Sequence, residues 1–319
     1  MEINDDIRTA IESDLGLKVL FTKGESIKVR NCWHFYTDGN HLDFLFNDDE
    51  DFIDGMNRLF LVATRHRIVI LAFSLMGTHI HLVLWGKLNE CEKFVFQYLK
   101  LISMHLSKKY GDKHKLMNLS PNHQQIDNDR YLKVVICYVL KNAPVGGIAF
   151  NALDYPWSSA PLYFRRKGYW SSPRLESVLE DSSSYGTNRM RKLLKTKSPP
   201  LKPFKLIGSI VYPGEYVASD IVEKIYRTHK AFNYFMCVSK ESEIDSRQGT
   251  ISRLSLPHSE LQQHKNEICS ELFGMDTIRT LSTGQRLKLA KCLLARYNCS
   301  PKQVAKACGL RFEEIKEML

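Results

Sequence analysis

Strand-length and helix-length apolar patterns alternate through the first half of this chain and predict an α+β domain, an antiparallel sheet with helices packed against it. Three observations carry that prediction. Residues 67–76 and 79–85 are runs rich in Ile, Val, Leu and Phe, separated by the turn signal Gly77-Thr78. Phe52, Ile53, Met56, Leu59, Phe60 and Ala63 recur at helical spacing. Tyr131, Val134, Val135, Tyr138 and Val139 do so again within residues 129–142.

The elements follow in order. Residues 1–30 have weak periodicity and form a helical or irregular lead-in. Trp33, Phe35 and Tyr36 fit a short strand. Phe44 to Phe46 ends in Asn47-Asp48-Asp49, where Asp48 or Asp49 caps the next helix. After the two strands, residues 90–110 read as an amphipathic helix with Phe94, Tyr98, Leu101, Ile102 and Leu106. Residues 111–128 are polar and loop-like. Pro144, Gly146 and Gly147 end the helix that begins at 129. Residues 185–205 hold seven Lys or Arg, no Asp or Glu, and Pro199, Pro200 and Pro203, which reads as a basic linker. Beyond it the chain is mostly helical, most clearly at 215–235 and 285–297. Residues 300–319 fit a helix-turn-helix, with Ser300-Pro301 as the start signal and Ala305, Gly309, Leu310, Ile315 and Met318 at its packed and turn positions. Glu313, Glu314 and Glu317 on its second helix oppose docking in a DNA groove, so a purely structural helical pair competes with that reading. The expected layout is a sheet domain at 1–160, a basic linker at 161–205, and a mostly helical C-terminal domain at 206–319.

The chain has 319 residues, and 45 Lys and Arg against 35 Asp and Glu give a formal charge of +10. That excess favours a polyanionic partner such as nucleic acid. The eight cysteines contain no CxxC pair, so zinc-ribbon spacing is absent, and they read as reduced core residues. The first residues lack a signal-peptide pattern, and no apolar run is long enough to cross a membrane. The expectation is a cytoplasmic protein.

The candidate chemistry starts with His79-Ile80-His81. Side chains two apart on a strand share a face, so both imidazoles point the same way. Together they can hold one divalent metal and leave positions open for a third ligand, water or a phosphate oxygen. The same triplet also fits a polar face that binds nothing. Leu82-Val83-Leu84-Trp85 make the strand a central one, where two histidines need a reason. On the 129–142 helix, Tyr138 and Asn142 stand one turn apart on one face, so a phenol and an amide oxygen can reach the same ion or phosphate. Tyr138 also fits a core aromatic after Val134, Val135 and Ile136. Residues 163–170 interleave aromatics with cations. Arg165, Arg166, Lys167 and Tyr169 there suit unpaired bases and phosphates, and Arg189, Arg191 and Lys192 in the linker suit a phosphate backbone.

In combination these segments resemble the single-tyrosine HUH transposases, particularly the REP-associated tyrosine transposases. The matching stretches are Leu45-Phe46-Asn47-Asp48-Asp49-Glu50-Asp51-Phe52, then Ala72 through Leu84 around the His pair. Tyr138-Val139-Leu140-Lys141-Asn142 with Pro144-Val145 follows, and then Asp154-Tyr155-Pro156-Trp157-Ser158-Ser159. They span roughly residues 31–160. The resemblance implies a ferredoxin-like fold, with Mg2+ or Mn2+ on His79 and His81 and Asn142 as the third protein ligand. It also implies Tyr138 as the nucleophile that forms a 5′-phosphotyrosine. The implied activity is cleavage and rejoining of single-stranded or hairpin DNA, by a monomer or homodimer in a bacterial cytoplasm. Two positions depart from the family pattern: Thr78 stands where Asn is usual, and Ala143 separates Asn142 from Pro144. The usual Arg after Pro-Val is also missing. The alternative is a DNA-binding protein or regulator on the same fold that has lost catalysis.

Overall fold

The computed structural model describes residues 5–17, 27–37, 45–111, 121–145, 151–164, 179–238, 258–275, 277–278, 280–297, 301–311 and 315. The chain divides into two compact units, Met1–Ser239 and Lys240–Leu319.

The first unit is α+β. After helix α1 (Asp5–Asp14), its elements run β1 (Lys28–Tyr36), α2 (Asp49–Ala63), β2 (Val69–Leu75), β3 (Ile80–Trp85), α3 (Leu88–Tyr110), β4 (Asn122–Asn128) and α4 (Asp129–Val145). The four strands form one sheet in the order β2-β3-β1-β4, with every neighbouring pair antiparallel. The expected loop at 111–128 thus contains an edge strand. β4, Asn-His-Gln-Gln-Ile-Asp-Asn, buries only Ile126. Its apolar alternation is missing because backbone pairing with β1, not side-chain burial, holds it in place.

Strand register sorts the side chains between the two faces. Phe35, Leu82 and Phe73 pair in a row, so they share a face. Phe73 stacks on Tyr216, whose ring contacts Phe60 of α2, so α2 lies on that face. Asp48 caps α2, its side chain accepting from the Asp51 N–H at 3.1 Å. Tyr36, His81 and Ser74 pair in the adjacent row and face the other way, toward α4. Asn128 opens α4 by accepting from the Tyr131 N–H at 2.8 Å.

The outer edge of β2 is covered by residues 155–163. Ser158 bridges to Ser74, and the hydroxyls of Tyr155 and Tyr163 each donate at 2.6 Å, to the carbonyls of Leu75 and Leu71. An edge so covered offers no free ladder to another chain.

The segment expected as a linker is folded wherever it is described. β5 (Glu180–Asp181), β6 (Lys205–Ile207) and β7 (Ile210–Val211) form a small antiparallel sheet, with α5 (Thr187–Leu193) between β5 and β6. Met190, Leu194, Phe204 and Leu206 are buried. Lys195 Nζ lies 3.2 Å from Asp54 Oδ1 and 3.2 Å from His105 Nδ1, tying this segment to α2 and α3. Of its charge run, Lys195 has its carboxylate partners, Glu50 and Asp54, on α2.

Two helices that the sequence reading placed in the C-terminal domain, α6 (Ser219–Tyr226) and α7 (His229–Val238), belong to the first unit. A break at Arg227, with φ of 66°, separates them where one helix was expected. Tyr226 donates its hydroxyl to the Lys133 carbonyl at 2.6 Å and contacts Cys137 Sγ at 3.1 Å. α4 is therefore held from behind while its other side meets the sheet.

The second unit contains α8 (His258–Phe273), α9 (Thr283–Tyr297) and α10 (Pro301–Ala307) around Leu261, Ile268, Leu289, Leu293, Val304 and Cys308. Gly309 follows α10 with φ of 66°, a left-handed turn position that suits glycine. Most of the expected second helix of the helix-turn-helix, 311–319, lies outside the described residues. No disulfide forms among the described cysteines. No helix among the described residues is long and apolar enough to cross a membrane.

Candidate functional site

β1, β3 with the residue before it, and α4 bring five ring side chains and one amide together. His81 lies on β3, and His79 immediately precedes that strand. His81 is nearly fully buried, whereas His79 is partly exposed. Their rings meet edge to face with centroids 5.0 Å apart. Alternation along the strand puts both on one face, and His81 meets Tyr138 of α4 there.

Tyr138 is one of few partly exposed side chains on an otherwise buried helix; Val134 to Cys137, Val139 and Leu140 are all buried around it. It is thus not a core aromatic. Its ring stands edge-on over two imidazoles, with centroids 5.4 Å from His81 and 5.8 Å from His34.

Asn142 sits one turn further along α4. Its Nδ2 donates to the carbonyls of Tyr138 at 3.0 Å and Val139 at 3.4 Å. With the nitrogen committed to its own helix, Oδ1 faces His79 Nε2 at 3.4 Å. Ala143 does not deflect it: α4 continues through Val145, and Ala143 is buried against Met76 and Tyr155. Thr78 finds a place too, its Oγ1 3.0 Å from His79 Nδ1.

Sequence reasoning missed His34 and Tyr36, on β1. Their signal was the Trp33-His34-Phe35-Tyr36 alternation, which puts both on one face. Only the strand register shows that this face is also the one His81 uses. Tyr36 pairs directly with His81, and His34 is fully buried with Nε2 3.1 Å from His81 Nδ1.

Electrostatically His34 and His81 are bases held neutral. Burial lowers the His34 pKa to about 3. Burial, followed by repulsion from His34 and His79, pushes His81 well below the usual histidine range. Neutral imidazoles carry the lone pair that a metal or a proton needs. Among the described residues no three His, Cys, Asp or Glu side chains cluster as a metal site. Asn142 Oδ1, 3.4 Å from His79 Nε2, is an oxygen donor that could stand beside the two imidazoles. Two imidazole nitrogens and one amide oxygen make a donor set that suits a divalent ion with open positions.

Arg165, Arg166, Lys167 and Tyr169 fall outside the described residues. Arg189, Arg191 and Lys192 are exposed on α5. Arg189 stacks on the Tyr185 ring at 3.5 Å, and Arg191 donates to the Lys197 carbonyl at 3.2 Å. The residues just after α5 contact α2: Lys195 reaches Asp54, and Arg65 donates to Thr196 and Ser198. This ties the segment to the α2 layer, on the face of the sheet opposite α4.

No protein family matches the chain, and no characterised protein sequence is similar to it. Among solved structures, that of a REP-associated tyrosine transposase bound to a REP hairpin aligns with 44% of this chain and 82% of its own, at 16% identity and a TM-score of 0.33. At this score the likeness is distant, and the function proposed next rests on the site's own residues.

Proposed function

We propose that the chain is a transposase-like endonuclease that cleaves and rejoins single-stranded DNA through Tyr138. One observation carries this reading: a partly exposed tyrosine, flanked by the buried Cys137 and Val139, stands over the buried His34 and His81 while Asn142, one turn on, meets His79. A phenol beside neutral imidazoles and an amide oxygen is a nucleophile beside a cation site. The order β1-α2-β2-β3-α3-β4 and the strand sequence 2-3-1-4 support a ferredoxin-like reading of the sheet.

His79, His81 and Asn142 would hold the Mg2+ or Mn2+ ion, which when bound neutralises charge on the scissile phosphate. Tyr138 attacks in line. Its Oη–P bond forms as the P–O3′ bond breaks, its phenolic proton passes to a base, and the 3′ oxygen leaves as a free hydroxyl. The 5′-phosphotyrosine keeps the phosphodiester energy, so attack by a 3′-OH rejoins a strand without ATP. The net charge of +10 favours the approach of the polyanion.

The test is covalent capture. Wild-type protein and Tyr138→Phe are mixed with labelled single-stranded and hairpin DNAs and Mn2+, denatured, and run on a gel. The expected result is a protease-sensitive shifted band that needs both Tyr138 and the metal and disappears with EDTA. Salt-sensitive DNA binding with no band across a broad set of DNAs would select the non-catalytic alternative.

A further inference from the structure

The contact between His34 and His81 constrains which protons the site can hold. An N···N hydrogen bond between two imidazoles requires one ring to present N–H and the other a bare nitrogen. Here the bond joins His34 Nε2 to His81 Nδ1 at 3.1 Å, with both rings buried and within 22° of parallel. Only two arrangements are open. If His34 donates, His81 in its neutral form carries its proton on Nε2 and has no lone pair to offer the centre. If His81 donates, its Nε2 is bare and offers the centre a lone pair.

We propose that His34 is the positioning residue of this centre: it accepts the His81 Nδ1 proton and so fixes the His81 tautomer whose Nε2 lone pair serves as a ligand. The proposal rests on the metal-site reading given above. A metal-bound histidine regularly has its other ring nitrogen held by an outer partner, which sets tautomer and ring angle together. Thr78 stands in the equivalent place for His79, with Oγ1 at Nδ1. His34 is not itself a third imidazole ligand through Nε2, because that atom is occupied by His81. It also fixes the second participant, since the Tyr138 ring stands edge-on to His34 and His81 alike, at 79° and 86°. Tyr138 thus stands against His34 and His81 side by side, and the register of β1 on β3 sets the two imidazoles beside each other.

The test is Mn2+ binding by the full-length protein without DNA, followed by electron paramagnetic resonance, with thermal melts run beside it. His34→Phe keeps the ring's bulk and removes the acceptor; it is expected to weaken Mn2+ binding by about ten- to a hundredfold. His34→Gln offers an amide oxygen to the same proton and is expected to recover most of that loss. Equal binding by wild type and His34→Phe overturns the proposal, and so does equal weakening by Phe and Gln, which would mark a shape effect alone. Failure of the underlying metal reading looks different: wild type itself would bind no Mn2+, or His81→Ala would bind as wild type does. If His34→Phe does not fold, nitrogen-15 NMR of the histidine rings in the Mg2+-bound wild type decides. The expected spectrum has the His81 proton on Nδ1, and a proton on Nε2 overturns the proposal.

Discussion

Asn142 donates its amide nitrogen to the backbone carbonyl of Tyr138 at 3.0 Å, one helical turn back. This bond fixes the orientation of an amide that would otherwise be free to flip. It directs Oδ1 toward His79 and ties its position to that of the tyrosine. Asn142→Ala is therefore expected to weaken Mn2+ binding by at least about tenfold, or about 1.4 kcal/mol, without changing the melting temperature. Asn142→Asp retains an oxygen and adds charge, which hard divalent ions prefer, so it is expected to bind Mn2+ more tightly than wild type. Isothermal titration measures both, and an alanine variant that binds like wild type would remove Asn142 from the donor set.

Tyr138 is expected to matter for chemistry and not for folding. Its side chain is partly exposed, and the packing of α4 rests on Val134, Val135, Ile136, Cys137, Val139 and Leu140. Tyr138→Phe should change unfolding free energy by no more than about 0.5 kcal/mol, as surface substitutions do. It should also leave Mn2+ affinity unaltered while abolishing covalent capture of DNA. A variant destabilised by several kcal/mol would instead mark Tyr138 as a packing residue.

The sequence reveals much of this site because its pieces are local. His79 and His81 are two apart on a strand, Tyr138 and Asn142 four apart on a helix, and simple periodicity assigns each pair to one face. What it hides are relations across long separations. His34 meets His81 across 47 residues, through a strand register no local pattern encodes. Lys195 belongs to a run read as a basic linker because its carboxylate partners, Glu50 and Asp54, lie on α2, far upstream in the chain. β4 is invisible for the opposite reason: an edge strand held by backbone pairing has no need of the apolar alternation by which strands are recognised.

Asp51 should dominate the acid sensitivity of the first unit. Burial alone would raise its pKa. Hydrogen bonds from the Asn47 N–H, Lys109, Tyr110 and His105 outweigh that and hold it well below the ordinary carboxylate value. A group depressed in the folded state stabilises fully above its unfolded pKa, near 4, and loses that contribution as pH falls through the folded value. Asp51→Asn is expected to cost about 3 kcal/mol at pH 7, since it strips a buried partner from Lys109 and His105. The gap from wild type should shrink as pH drops below about 4. Urea unfolding at pH 7, 5 and 3 measures it; a gap constant across that range would refute the assignment.

Gly55 sits in the interior of α2, where helix propensity alone favours alanine by about 1 kcal/mol. The surroundings oppose the change. A Cβ at this position would lie 2.7 Å from Phe46 Cε1 and 3.2 Å from Leu75 Cδ1. Phe46 cannot retreat easily, because its ring stacks on Phe52 at 4.9 Å and Phe52 in turn stacks on Trp157 at 5.0 Å. Overpacking of this kind costs about 1–3 kcal/mol, enough to cancel or exceed the propensity gain. Gly55→Ala is expected to be destabilising on balance, with the melting temperature lowered by a few degrees. Gly55→Ser should be worse, since it adds a hydroxyl to the same crowded point. A melting temperature that rises in Gly55→Ala would mean the aromatic row yields, and that the contact between α2 and the segment before it is softer than its stacked rings imply.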